Sequence, residues 1–85
     1  MKVFKCVIKD KLGIHARPAG MLVKEACEFK STIKIKKGEK EVDAKRLFGV
    51  MSLGVKCGEE IEIFADGVDE TEAIEKLENF LKQNL

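Results

Sequence analysis

A single histidine, a single proline, and no tryptophan or tyrosine stand among the 85 residues of the chain. One histidine cannot supply a zinc-ligand set, and Cys6, Cys27 and Cys57 lack metal-ligand spacing, so no metal or other cofactor is expected. These cysteines are odd in number and each sits beside apolar residues. A disulfide framework is therefore not expected, and all three read as reduced core or near-core thiols. Ser31 and Ser52 are the only serines, which leaves a Ser-His-acid arrangement without support. A cysteine-histidine pair would need one of the thiols to leave its apolar setting. No apolar run approaches the ~20 residues of a membrane span, because Lys5 and Lys9 interrupt the apolar start. Nothing reads as a targeting segment, and a cytoplasmic location is expected.

Net charge is also scarce, at +1 from 16 Lys and Arg against 15 Asp and Glu, but this balance hides an asymmetry. Residues 1–57 hold 14 basic and 6 acidic side chains, a net of +8, whereas residues 58–85 hold 2 and 9, a net of −7. A basic first part with an acidic tail fits phosphate or nucleic-acid binding, docking on an acidic protein, or two solvated faces that pair. Composition does not choose among them. Glu59, Glu60 and Glu62 read as a solvated edge and turn rather than an acid-base pair.

The length corresponds to one domain over residues 1–85, with no linker or repeat. Phe4, Cys6 and Ile8 alternate with Lys5 and Lys9, the period of a strand buried on one face, with Val7 as the one discord. Pro18 fits the first turn of a helix, and Ala19, Leu22, Val23, Ala26 and Cys27 form its apolar stripe up to about Glu28. Ile33 and Ile35 point inward on a second strand, and a turn at Lys37-Gly38-Glu39 leads to a hairpin partner with Val42 and Ala44. Leu47, Phe48, Val50, Met51 and Leu53 form a dense cluster bracketed by Gly49 and Gly54, so a helix there should be short. Ile61 and Ile63 mark a fourth strand over Glu60–Ala65. Asp69 and Glu72 have the spacing of a capping box opening a last helix with Ala73, Ile74, Leu77, Phe80 and Leu81 on one face. Clean one-sided alternation predicts an α+β open-faced sandwich, a four-stranded antiparallel sheet with three helices packed on one face.

His15 stands in Gly13-Ile14-His15-Ala16-Arg17-Pro18-Ala19, where a loop enters the first long helix. Free main-chain N–H groups and the positive end of a helix dipole favour an anion there. Arg17 adds a planar fork of donors matched to phosphate oxygens. Imidazole is a nucleophile near neutral pH and can accept a phosphoryl group covalently. A solvent-facing histidine at a helix cap is the alternative on spacing alone.

Those seven residues, together with Lys45-Arg46-Leu47-Phe48-Gly49-Val50-Met51-Ser52-Leu53-Gly54, closely resemble the HPr family, the histidine-containing phosphocarriers of the bacterial sugar phosphotransferase system. The resemblance spans essentially the whole chain and carries the same fold as an expectation. It implies a carrier, itself no enzyme, that takes phosphate on His15, through Nδ1, from phosphoenolpyruvate-charged enzyme I and delivers it to sugar-specific enzyme IIA. Arg17 would steady the phosphoryl group, and Ala16 and Arg17 would offer backbone donors. Leu47, Phe48 and Met51 would form a docking patch, with Val50 and Leu53 in the core. Lys24, Lys45 and Arg46 join Arg17 at a positive end that would steer acidic partner surfaces. A soluble carrier docking two partners through one surface is expected to act as a monomer, and no membrane insertion is expected.

Two positions depart from the family pattern. Arg46 occupies the place where many relatives carry a kinase-phosphorylated serine, so serine-switch regulation is not expected, and Ser52 is a poor substitute. Leu12 replaces a residue that is small and polar in many relatives. A second reading is an HPr-like paralogue that binds a transcription factor or metabolic enzyme without relaying phosphate to sugars. A third is nucleic-acid binding through Lys34, Lys36, Lys37 and Lys40, but without exposed aromatics these lysines fit a solubilising edge better, and no nucleic-acid partner is expected. Charged residues make up 36% of the chain against a typical ~25%, with only Asn79, Gln83 and Asn84 as amides, which predicts a thermophilic source.

Overall fold

The computed structural model describes all of residues 1–85. Its elements are β1 (Lys2–Val7), α1 (Ala16–Cys27), β2 (Thr32–Lys37), β3 (Lys40–Asp43), α2 (Leu47–Ser52), β4 (Glu60–Asp66) and α3 (Glu70–Asn84). The strands form one antiparallel sheet in the order β1-β4-β2-β3. Helix α3 lies against β1 and β4, α2 against β3, and α1 packs on both other helices. This is the expected open-faced sandwich.

Alternation in the strands is what separates the two faces of the sheet. Ile33, Ile35, Ile61, Ile63 and Ala65 are fully buried under the helices, where they meet Leu22, Ala26, Ala73, Leu77 and Leu81. Val7, the discordant residue, falls on the outer side and is exposed. On that open face the register sets Lys5 opposite Glu62, Glu62 opposite Lys36, and Lys36 opposite Glu41. Charges thus alternate in sign across all four strands, the favourable arrangement for cross-strand neighbours.

Two expectations need correction. Asp69 is the N-cap of α3, but its side chain makes no capping bond to the helix. Its carboxylate instead accepts the Lys30 N–H at 2.8 Å, the Ser31 N–H at 2.9 Å and the Ser31 hydroxyl. These bonds hold the Asp69 carboxyl below the usual range, the Ser31 hydroxyl acting most strongly. The capping box gives way to a clasp between α3 and the start of β2, because Ser31 is 1% exposed and needs a partner for its hydroxyl. The thiols are also less buried than expected: Cys6 is half-buried, whereas Cys27 and Cys57 are exposed. Cys27 is the last residue of α1 and Cys57 lies in the turn before β4, so neither belongs to a buried stripe.

Candidate functional site: the start of helix α1

Gly13 sets the approach to His15. Its φ is +69°, and a Cβ there would lie 2.2 Å from the Val55 carbonyl oxygen and 2.8 Å from Lys56 Cα. Only glycine fits so close a crossing in the left-handed region. The next residue, Ile14, is buried and donates its N–H to the same Val55 oxygen at 3.0 Å. His15 then takes an extended conformation as the N-cap of α1.

The capping geometry leaves a defined set of donors. The Ala19 N–H bonds to the His15 carbonyl at 2.9 Å, closing the first helical turn. Pro18 carries no N–H, and the Ala16 and Arg17 N–H groups find no acceptor within the chain. The His15 side chain makes no capping bond, so these two donors remain available to an anion beside the ring. Arg17 is exposed and pairs with no carboxylate, which leaves its five donors free as well.

The imidazole is 36% exposed at the rim of a shallow cavity of about 180 Å³ lined by Asp10, His15, Arg17, Pro18, Met21 and Asn84. A larger cavity of about 350 Å³ lies on the open sheet face between Met1, Thr32, Lys34, Glu41, Phe64 and Asp66, with no imidazole among them. The smaller one holds the chain's single imidazole beside a guanidinium and a carboxylate. The structure contains no cluster of His, Cys, Asp and Glu that could bind a metal ion.

Helix α2 presents an exposed apolar surface. Val50 and Leu53 are buried as expected, while Phe48 is 86% exposed, with Leu47 and Met51 partly so. Met21 on α1 and Leu12 in the preceding loop are also exposed apolar side chains. The short helix is clamped at its far end by the β2–β3 hairpin. Lys37 Nζ donates to the Leu53 and Gly54 carbonyls at 3.3 and 3.1 Å, and Lys40 Nζ to the Ser52 carbonyl at 2.8 Å. Cations there also meet the negative end of the helix.

The cations expected at the positive end differ in their surroundings. Lys24 is exposed in the last turn of α1, and Arg46 is 81% exposed beside Asp43 at 3.8 Å. Lys45 also has a partner within the chain: its ammonium donates to the Phe29 carbonyl at 2.8 Å and ties the β3–α2 loop to the segment after α1. That bond gives Lys45 a structural role and leaves two of its three ammonium donors over. Arg46 is the N-cap of α2 and makes no capping bond, because a guanidinium has no acceptor to offer helical N–H groups. Sequence reasoning missed Asp10, whose carboxylate oxygen Oδ2 lies 4.0 Å from His15 Nε2. The Asp-x-x-Gly turn at Asp10-Lys11-Leu12-Gly13 was its only local signal.

Fold and site together define a small open-faced α+β protein of the histidine phosphocarrier class. The chain matches the family model for the PTS HPr component phosphorylation site over residues 2–83, and it belongs to the HPr family. It is 45% identical over 85 residues to the phosphocarrier protein HPr of Mycoplasma genitalium, covering 99% of this chain and 97% of that one. The crystal structure of an HPr from Thermoanaerobacter tengcongensis is similar with a TM-score of 0.94 at 43% identity, over 98% and 93% of the two chains. The HPr-like protein Crh of Bacillus subtilis is 41% identical over 81 residues, which is 95% of each chain. No helix is long and apolar enough to cross a membrane.

Proposed function

We propose that this protein accepts a phosphoryl group on His15 from phosphorylated enzyme I and passes it to sugar-specific enzyme IIA. The observation that carries the reading is the lone imidazole at the start of α1, flanked by two unpaired main-chain N–H groups and an unpaired guanidinium. In the first step the Nδ1 lone pair forms a bond to phosphorus while the bond to the donor breaks and its electron pair leaves with the donor. The Ala16 and Arg17 N–H groups and the Arg17 guanidinium are suited to meet the phosphoryl oxygens. In the second step the P–N bond breaks toward the acceptor and its electron pair returns to the ring. The protein is thus a substrate of two partners and no independent catalyst, acting as a cytoplasmic monomer of one domain.

Phe48, Leu47 and Met51 are proposed as the docking patch, with Lys24 and Arg46 at its edge. An exposed patch containing a flexible thioether side chain suits surfaces of different shape met in turn. Incubation with enzyme I and phosphoenolpyruvate should add one acid-labile phosphoryl mass to the wild-type chain and none to His15→Ala. Absence of labelling on intact protein overturns the reading. Labelling without onward transfer to any enzyme IIA would instead favour a regulatory paralogue.

A further inference from the structure

We propose that Asp10 is a positioning residue for His15, holding the proton of the neutral ring on Nε2 and so leaving the Nδ1 lone pair free to attack. The inference rests on His15 being the phosphoryl acceptor and concerns which nitrogen is made ready. Asp10 is itself held by three hydrogen bonds. Its N–H donates to the Leu85 main-chain oxygen at 2.9 Å, its carbonyl accepts the Gly13 N–H at 2.9 Å, and its Oδ1 accepts the Leu12 N–H at 2.8 Å. These leave Oδ2 with one ring nitrogen nearby, His15 Nε2, at 4.0 Å. That separation exceeds a hydrogen bond, but a small ring rotation or one bridging water closes it, and such contacts tighten in reacting complexes.

A neutral imidazole has one donor and one acceptor nitrogen, and the partner of one decides the character of the other. No capping bond competes for the ring. With the proton on Nε2 facing a carboxylate, Nδ1 is the acceptor nitrogen and the nucleophile. When Nδ1 bonds to phosphorus the ring becomes cationic, its Nε2 proton still facing Asp10. When the P–N bond later breaks, the pair returns to Nδ1 and the neutral Nε2–H ring is restored. No proton has to move in either step. Arg17 supplies the opposite charge for the phosphoryl oxygens, so one shallow cavity holds a carboxylate for the ring and a guanidinium for its cargo.

The test is nitrogen NMR of the unphosphorylated full chain with 15N-labelled histidine, alongside phosphoryl-transfer kinetics with enzyme I. Wild type should show His15 almost wholly as the Nε2–H tautomer. Asp10→Ser keeps a hydroxyl acceptor for the Leu12 N–H but has no carboxylate for the ring. It should shift toward a mixture of tautomers and lose about two- to fivefold in transfer rate at saturating enzyme I, the range of a partly exposed charge contact. KM should stay unchanged, and Asp10→Ala should behave alike. Wild-type tautomer signals in Asp10→Ser overturn the proposal, as does an unchanged rate. Failure of wild-type protein to accept phosphate would defeat the carrier reading instead, while the tautomer signals would still decide the role of Asp10.

Discussion

Substituting Gly13 by alanine tests whether the crossing of the 13–15 loop over Val55 and Lys56 builds the site. The φ of +69° alone makes a Cβ cost about 1–2 kcal/mol. The added carbon would also lie 2.2 Å from the Val55 oxygen, so that carbonyl must move and weaken the bond it accepts from Ile14. That bond contributes ~1 kcal/mol, and overpacking a close backbone crossing costs a further ~1–3 kcal/mol. A total near ~4 kcal/mol corresponds to a melting midpoint lower by roughly 15–30 °C in a domain of this size. Gly38→Ala is the matched control, because Gly38 has a φ of +59° but open space around its Cβ position. It should cost only the conformational part, roughly 4–16 °C. Thermal unfolding followed by circular dichroism measures both, and phosphoryl acceptance measured below both midpoints should fall more than about fivefold in Gly13→Ala alone. Equal melting temperatures for the two variants would refute the argument that close approach, rather than the turn conformation, fixes the loop ahead of His15.

Phe48→Ala should change stability by less than about 0.5 kcal/mol because the ring is almost wholly exposed, yet raise KM toward enzyme I by about tenfold in steady-state transfer assays. Arg46→Ser should raise the midpoint of urea unfolding by stabilising the α2 start by about 1 kcal/mol, since a hydroxyl can cap where a guanidinium cannot. Acid should destabilise the protein through Asp69. Its carboxyl is held below its ordinary value, so its contribution is complete above the unfolded value of about 3.9 and is lost as pH falls through the folded one. Denaturant unfolding across that window should show a shallower pH dependence in Asp69→Asn than in wild type. The charge ladder on the sheet and the density of charged side chains predict a melting midpoint above the ordinary range of roughly 45–65 °C.

Where function depended on neighbours in sequence, the sequence was legible. Period-two alternation identified the buried isoleucines of β2 and β4, and Pro18, three residues after His15, located the start of α1. The resemblance supplied the roles of the site residues. Contacts between distant segments were not legible. Asp69 matched a local capping pattern, but the buried Ser31 hydroxyl, 38 residues earlier, took its carboxylate. Lys45 looked like a surface cation until the segment after α1 supplied the Phe29 carbonyl. Asp10 belonged to an ordinary turn until folding brought its free oxygen toward the ring.

For the proposed docking patch, the lysine clamp on α2 sets the state in which a partner would meet it. A helix of six residues has too few internal bonds to persist in water unaided, and here Lys37 and Lys40 tie its end to the β2–β3 hairpin. The entropy of ordering this surface is therefore lost once, during folding, and not again at each encounter. In the proposed relay, such preorganisation lets contacts with donor and acceptor stay small and short-lived while orientation remains accurate, so departure need not be slow.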